Sequence, residues 1–113
     1  MVFNALVGNT DDHLKNFSML QKPEGLRLAP AYDLLPDTAN RMEHVLHFDH
    51  QFIAPGQSTL STFGHRLGVP GPETIVGQVV DTLSEWLETC LSFGIDKRHC
   101  ERLAWSINER LNK

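Results

Sequence analysis

Asp11, Asp12, His13, Asn16 and Asp33 are the residues whose types and spacing can do chemistry, and all lie in the stretch GNTDDHLKNFSMLQKPEGLRLAPAYD, residues 8–33. Phosphoryl transfer uses such a set. One carboxylate orients and deprotonates an attacking hydroxyl, while a second carboxylate and an amide oxygen hold the magnesium that neutralises charge on the phosphates. Asp11 stands five residues before Asn16, which is the base-to-amide spacing of phosphotransfer loops. Asp12 is the rival base, but it lies only four residues before Asn16, and Asp11 ranks first.

These residues need elements to bring them together. MVFNALV, residues 1–7, reads as the last turns of a helix closed by Gly8 in a left-handed conformation. Residues 9–16 are dense in Asn, Asp and Thr, whose side chains bond nearby backbone and fix tight loops. The apolar runs 17–20 and 26–29 flank Lys22-Pro23-Glu24-Gly25, a type I turn signal, so a hairpin is expected. An antiparallel return carries Asp33 back beside Asn16. Pro30 and Pro36 bracket AYDLL and hold it out of regular helix.

The remainder reads as support. Residues 37–57 are expected to be mostly loop, with a short extended piece over 45–48. A helix is expected over 58–67, N-capped by Ser58, and Gly68 to Pro72 break it. The clearest helical pattern runs from Glu73 to Phe93, with apolar residues at three- and four-residue steps and Gly94 at its end. Asp96 caps a last helix reaching about Leu111, and so short a link predicts antiparallel packing of the two. Trp86 and Trp105 are expected to anchor the core. The fold class is therefore mainly α: one domain over 1–113, divided into a loop, hairpin and metal-binding segment (1–36), a loop (37–57) and a helical tail (58–113).

Composition narrows the function. A chain that is 41% hydrophobic and 21% charged is of ordinary globular make-up. A net charge of −4 argues against direct nucleic-acid binding, which depends on clustered Lys and Arg. There is no apolar run of membrane-spanning length and no signal-peptide pattern, so a cytoplasmic setting is expected. Cys90 and Cys100 read as buried reduced thiols on two helices. His44, His47 and His50, with Asp49 between the last two, have spacing that could serve zinc on a helix face, but no apolar stripe supports a helix there. They are expected on the surface or in a loop.

Taken together, GNTDDHLKNFS and LAPAYDLLP resemble the catalytic and metal-binding motifs of HipA-like bacterial serine/threonine kinases, the toxins of toxin–antitoxin pairs. The Asp, the His two residues on, the Asn five on, the following Phe-Ser and the later Pro-x-Tyr-Asp occur in order. The resemblance implies that Asp11 is the catalytic base, that Asn16 and Asp33 are magnesium ligands, and that His13 and Lys15 belong to the cofactor-facing loop signature. It also implies ATP and Mg2+ as cofactors, a small DNA-binding antitoxin as partner and a protein substrate in translation. Asp33 is followed by Leu34-Leu35 and lacks the Phe-Gly of eukaryotic kinases. Only ten residues precede Asp11, which leaves no place for a Gly-rich loop, a strand Lys and its Glu partner. The chain is therefore expected to be the C-terminal part of a kinase lobe, inactive alone. Its unpaired apolar surface is expected around Val2, Phe3 and Leu6, where the missing half or a second copy would dock.

Two other readings stay open at the level of sequence. The loop is also similar to that of lipid and small-molecule kinases, although no basic amphipathic surface for an anionic membrane accompanies it. A helical interaction module with an inherited, idle motif is the non-enzymatic alternative.

Overall fold

The computed structural model describes residues 1–48 and 50–113; Asp49, named above with the histidines, lies outside the described residues. Among these residues the element order is α1 (Val2–Val7), a 3-10 turn (Leu14–Asn16), β1 (Met19–Lys22), β2 (Gly25–Leu28), β3 (Glu43–Phe48), β4 (Gln51–Ile53), α2 (Gln57–Arg66), α3 (Pro72–Ser84), α4 (Trp86–Ser92) and α5 (Lys97–Leu111). The chain is mainly helical with a short hairpin after the acid-rich loop, as its pattern indicates. No helix is long and apolar enough to cross a membrane among the described residues.

A six-residue helix has too few hydrogen bonds to stand alone, so α1 exists through its packing. Its Ala5, Leu6 and Val7 are buried with Leu60 of α2, Val76 and Leu83 of α3, Ile107 of α5 and Phe48 of β3. Helices α3 and α5 both pack against α1. Gly8 ends the helix at φ 78° and donates its N–H to Asn4 O. The acid-rich loop therefore starts from one of the most deeply packed elements of the fold. Leu6 lies in the core, and Val2 and Phe3 are partly buried against it, so the expected open patch at these three residues is filled by the protein's own helices.

The exposed apolar surface lies on the hairpin instead. β1 and β2 pair Met19 with Leu28, Leu20 with Arg27, Gln21 with Leu26 and Lys22 with Gly25, across the turn Pro23-Glu24. Alternation puts Met19, Leu26 and Leu28 on one face, at 57%, 63% and 63% exposure. The radius of gyration, 15.0 Å, exceeds the about 13 Å expected of a compact chain of this length, in keeping with a projecting hairpin.

Several expectations need correction. Residues 37–57, expected as mostly loop with an extended piece over 45–48, contain a second antiparallel hairpin in which β3 takes in that piece and pairs with β4. His44 and His47 lie on β3, and His44 is buried, edge-on to Phe48 at 5.2 Å between ring centroids; it is not a surface or loop residue. Among the described residues no group of three or more His, Cys, Asp or Glu could hold a metal. The N-cap of α2 is Gly56, not Ser58. The expected 73–93 helix is two helices broken at Glu85. Thr82 and Ser84 just before the break donate their hydroxyls to Gln78 O and Val80 O at 2.8 Å, a side-chain competition that bends helices. Trp86 packs on the core, but Trp105 is 59% exposed because it falls opposite the Cys100, Leu103 and Ile107 stripe. Asp96 does cap α5, accepting from His99 N at 3.1 Å, and Cys90 and Cys100 are buried free thiols on α4 and α5.

Candidate active site

The loop after α1 is clamped by backbone bonds on two sides. Gly8 O accepts from Asp37 N at 2.9 Å, and Thr10 O accepts from Val45 N of β3 at 3.0 Å. Thr10, Asn9 and Asp12 are buried, whereas the Asp11 side chain is 78% exposed. Adjacent acids thus divide by role. Asp12 turns inward and accepts from Asn4 Nδ2 at 2.6 Å, while Asp11 turns outward to a polar pocket.

Beyond Asp12 the chain turns through Leu14–Asn16, closed by Asn16 N to His13 O at 2.9 Å and Phe17 N to Leu14 O at 3.1 Å. The hairpin then returns as its turn chemistry requires, and Ala29 N donates to Ser18 O at 2.7 Å, one pair beyond the Met19–Leu28 register. Tyr32 completes the closure. Its hydroxyl donates to Lys15 O at 2.7 Å and lies 3.0 Å from Ser18 Oγ, so the Pro-x-Tyr-Asp segment is tied to the loop that carries Asp11.

Asp33 is brought to the same pocket as Asp11. The pocket is also lined by Asn9, Thr10, Asp37 and Arg41. Asp33 adopts φ 56°, a left-handed conformation that Asp tolerates better than most residues but that still costs energy. A buried amide helps to hold it there: Asn9 Nδ2 donates to Asp33 O at 3.1 Å and approaches Asn4 Oδ1 at 3.4 Å. Asn9 and Asn4 thus link the backbone of one acid, Asp33, to the carboxylate of another, Asp12.

The remaining motif residues fall around this pair. His13 Nε2 lies 2.8 Å from Asp11 Oδ1. Lys15 contributes its carbonyl to Tyr32. Asn16 lines a second cavity, with Asp12, Tyr32 and apolar residues of α1 and the hairpin. The consecutive pairs Asp11–Asp12 and Tyr32–Asp33 face the two cavities in turn, so the loop brings Asp11 and Asp33 together and sets Asn16 in the other cavity. Carboxylates and an amide oxygen are hard donors of the kind magnesium takes, and of these Asp11 and Asp33 share one pocket while Asn16 lines the other.

Sequence reasoning missed the supporting set. Asp37 takes Arg41 Nε at 2.9 Å and Nη2 at 3.2 Å, together with the N–H groups of Ala39 and Arg41. The Arg41 guanidinium, first of these, holds the Asp37 carboxyl well below the usual carboxylate range. Arg110 of α5, buried under Gly8, donates to Ser106 O at 2.9 Å and Arg41 O at 3.2 Å. Burial lowers the pKa of the Arg110 guanidinium. Burial, and then the charge of Arg110, also lowers the pKa of His44. Asn4 inside an otherwise apolar helical run was the signal that could have exposed this network.

Comparison with known proteins agrees with the motif. Residues 1–111 match the model of the family described as HipA-like C-terminal domain. The Sinorhizobium fredii protein named "Putative kinase Y4mE" is 29% identical over 120 residues, covering 96% of this chain and 29% of that protein. HipA from a Shewanella oneidensis toxin–antitoxin complex with HipB and operator DNA shares the fold at a TM-score of 0.67 and 21% identity. That alignment covers 98% of this chain and 28% of the other. The chain thus spans less than a third of the length of either.

Proposed function

From the premise that the chain belongs to the HipA-like C-terminal domain family, we propose that it is the acceptor- and metal-facing part of an ATP- and magnesium-dependent serine/threonine protein kinase. The observation that carries this reading is the convergence of Asp11 and Asp33 on one pocket. In it, Asp11 accepts the proton of the attacking hydroxyl. His13 occupies Asp11 Oδ1, which leaves Oδ2 to face the substrate. Asp33 would hold magnesium from this pocket and Asn16 from the side of the second cavity, and the ion would supply neutralisation of phosphate charge. The loop's main contribution is then positioning and fixed electrostatics.

The matched relatives are more than three times longer than the aligned part, and the rest of the nucleotide site belongs, in this reading, to polypeptide of the kind that fills that length. The chain alone is then inactive. The apolar hairpin face, Met19, Leu26 and Leu28, supports such a complement. By analogy with the Shewanella complex, a HipB-like antitoxin is the proposed partner, with DNA reached through it, as a net charge of −4 favours. A cytoplasmic location follows from this role.

The test joins the chain to an upstream HipA-like kinase half and measures phosphate transfer from γ-labelled ATP. Asp11→Ala and Asp33→Ala should each lower transfer by about 10³-fold. Transfer that is unchanged by both substitutions would refute the reading.

A further inference from the structure

The pocket between Asp11 and Asp33 holds one group the proposed chemistry has not used. Among its described lining residues, Arg41 alone carries a positive charge. Its guanidinium is built in place rather than left to wander. Asp37 Oδ2 accepts from both the backbone N–H and the Nε of Arg41, at 2.8 and 2.9 Å, and Oδ1 accepts from Nη2 at 3.2 Å. The backbone beneath is fixed as well. Asp37 N is bonded to Gly8 O, Asn40 sits at φ 52° with its Oδ1 accepting from Ser106 Oγ at 2.6 Å, and Arg41 O accepts from Arg110 Nη2.

The bland alternative is an ordinary surface ion pair, which contributes little to stability. Such a pair has no need of a buried arginine and a left-handed Asn to hold it. The Arg41 side chain stays 69% exposed, and its fork to Asp37 uses Nε and Nη2, leaving the Nη1 donors for a ligand. The hydrogen bond to Asp37 foremost, then the charge of Asp37 and after it that of Asp11, raise the basicity of Arg41, and Arg41 and Asp11 line the same pocket.

We propose that Arg41 is an anion-binding residue of this pocket and takes a tetrahedral phosphoryl oxyanion brought against Asp11. The inference rests on the phosphotransfer reading and adds a residue to it. Arginine suits the task because its planar fork meets phosphate oxygens with two donors, and a cation fixed beforehand needs no rearrangement when charge arrives. Asp11, Asp33 and Asp37 together outweigh one guanidinium. An anion is therefore repelled until a divalent cation offsets the acids, so binding at Arg41 depends on the metal.

The experiment is ¹⁵N NMR of the full chain, following the Arg41 Nε–H signal during titration with tripolyphosphate, with and without Mg2+. Saturable movement of that signal in the presence of Mg2+, and little without it, is expected. Followed through the backbone amide signals of Asp11 and Asp33, Arg41→Ala should weaken the apparent affinity about tenfold, and Arg41→Lys less, because it keeps charge but loses the fork. Acetate at equal ionic strength should leave the signal in place; equal movement by acetate would overturn the choice of a phosphoryl ligand. In a parallel arm, Mn2+ broadens the amide signals of its neighbours. If Asp33 and Asn16 broaden while tripolyphosphate ignores Arg41, the inference fails and the phosphotransfer reading stands. If Mn2+ broadens neither, the reading falls and this inference with it.

Discussion

Asp11 and Asp12 are neighbours in sequence, yet one faces solvent and the other lies buried against Asn4, and that division decides which can meet a substrate. Spacing to Asn16 ranked Asp11 first, but nothing in the sequence said what Asp12 would do. A buried carboxylate is tolerable because it is hydrogen-bonded, so the stability of the loop depends on the Asn4 amide. Asn4→Leu should cost about 2–4 kcal/mol in urea unfolding, since it strands a charge in the interior. Adding Asp12→Asn should recover part of the loss, because a neutral amide is cheaper to bury unpaired. Equal destabilisation by the single and double variants would show that the bond to Asp12 is not what Asn4 contributes. The motif residues were legible as types and spacings, whereas Asn9, Asn4 and Arg110 were not. Their contacts span the chain, from Asn9 to Asp33 and from Arg110 to Arg41, and no local pattern encodes such distances.

At the scale of elements, local chemistry was readable wherever it was strong. Gly8, the Pro23 turn and the Asp96 cap all act where their residue types required. The break at Glu85 was not, because apolar periodicity continues across it and hides the hydroxyl bonds that bend the helix. β3 was legible only as a short extended piece over 45–48, and its pairing with β4 not at all, for a related reason: β3 buries only His44 and Phe48, too weak an alternation to stand out. The junction of α1 with α5 is the element contact on which the loop most depends. A Cβ on Gly8 would meet Arg110 Cζ at 2.6 Å, and φ 78° is itself unfavourable for alanine. Gly8→Ala should therefore destabilise the fold by about 2 kcal/mol, measured by thermal or urea unfolding. A neutral result would mean that Arg110 yields freely and does not brace the loop.

At the scale of the molecule, the helical part forms a core around α1 and presents the acid pocket and the hairpin at its edge. The hairpin serves two ends. It returns Asp33 to Asp11, and it offers an apolar face, Met19, Leu26 and Leu28, that this chain does not cover. Sequence placed the apolar surface on α1 because it could not show that α3 and α5 fold over that helix. The central claim is that Asp11 and Asp33 lie at one phosphate- and metal-handling site. The most direct measurement is the anomalous scattering of crystals of the chain soaked in Mn2+. A peak beside the Asp33 carboxylate and within reach of Asn16, removed by Asp33→Ala, is the predicted result. Crystals in which manganese binds elsewhere, with Asp33 uninvolved, would contradict the account.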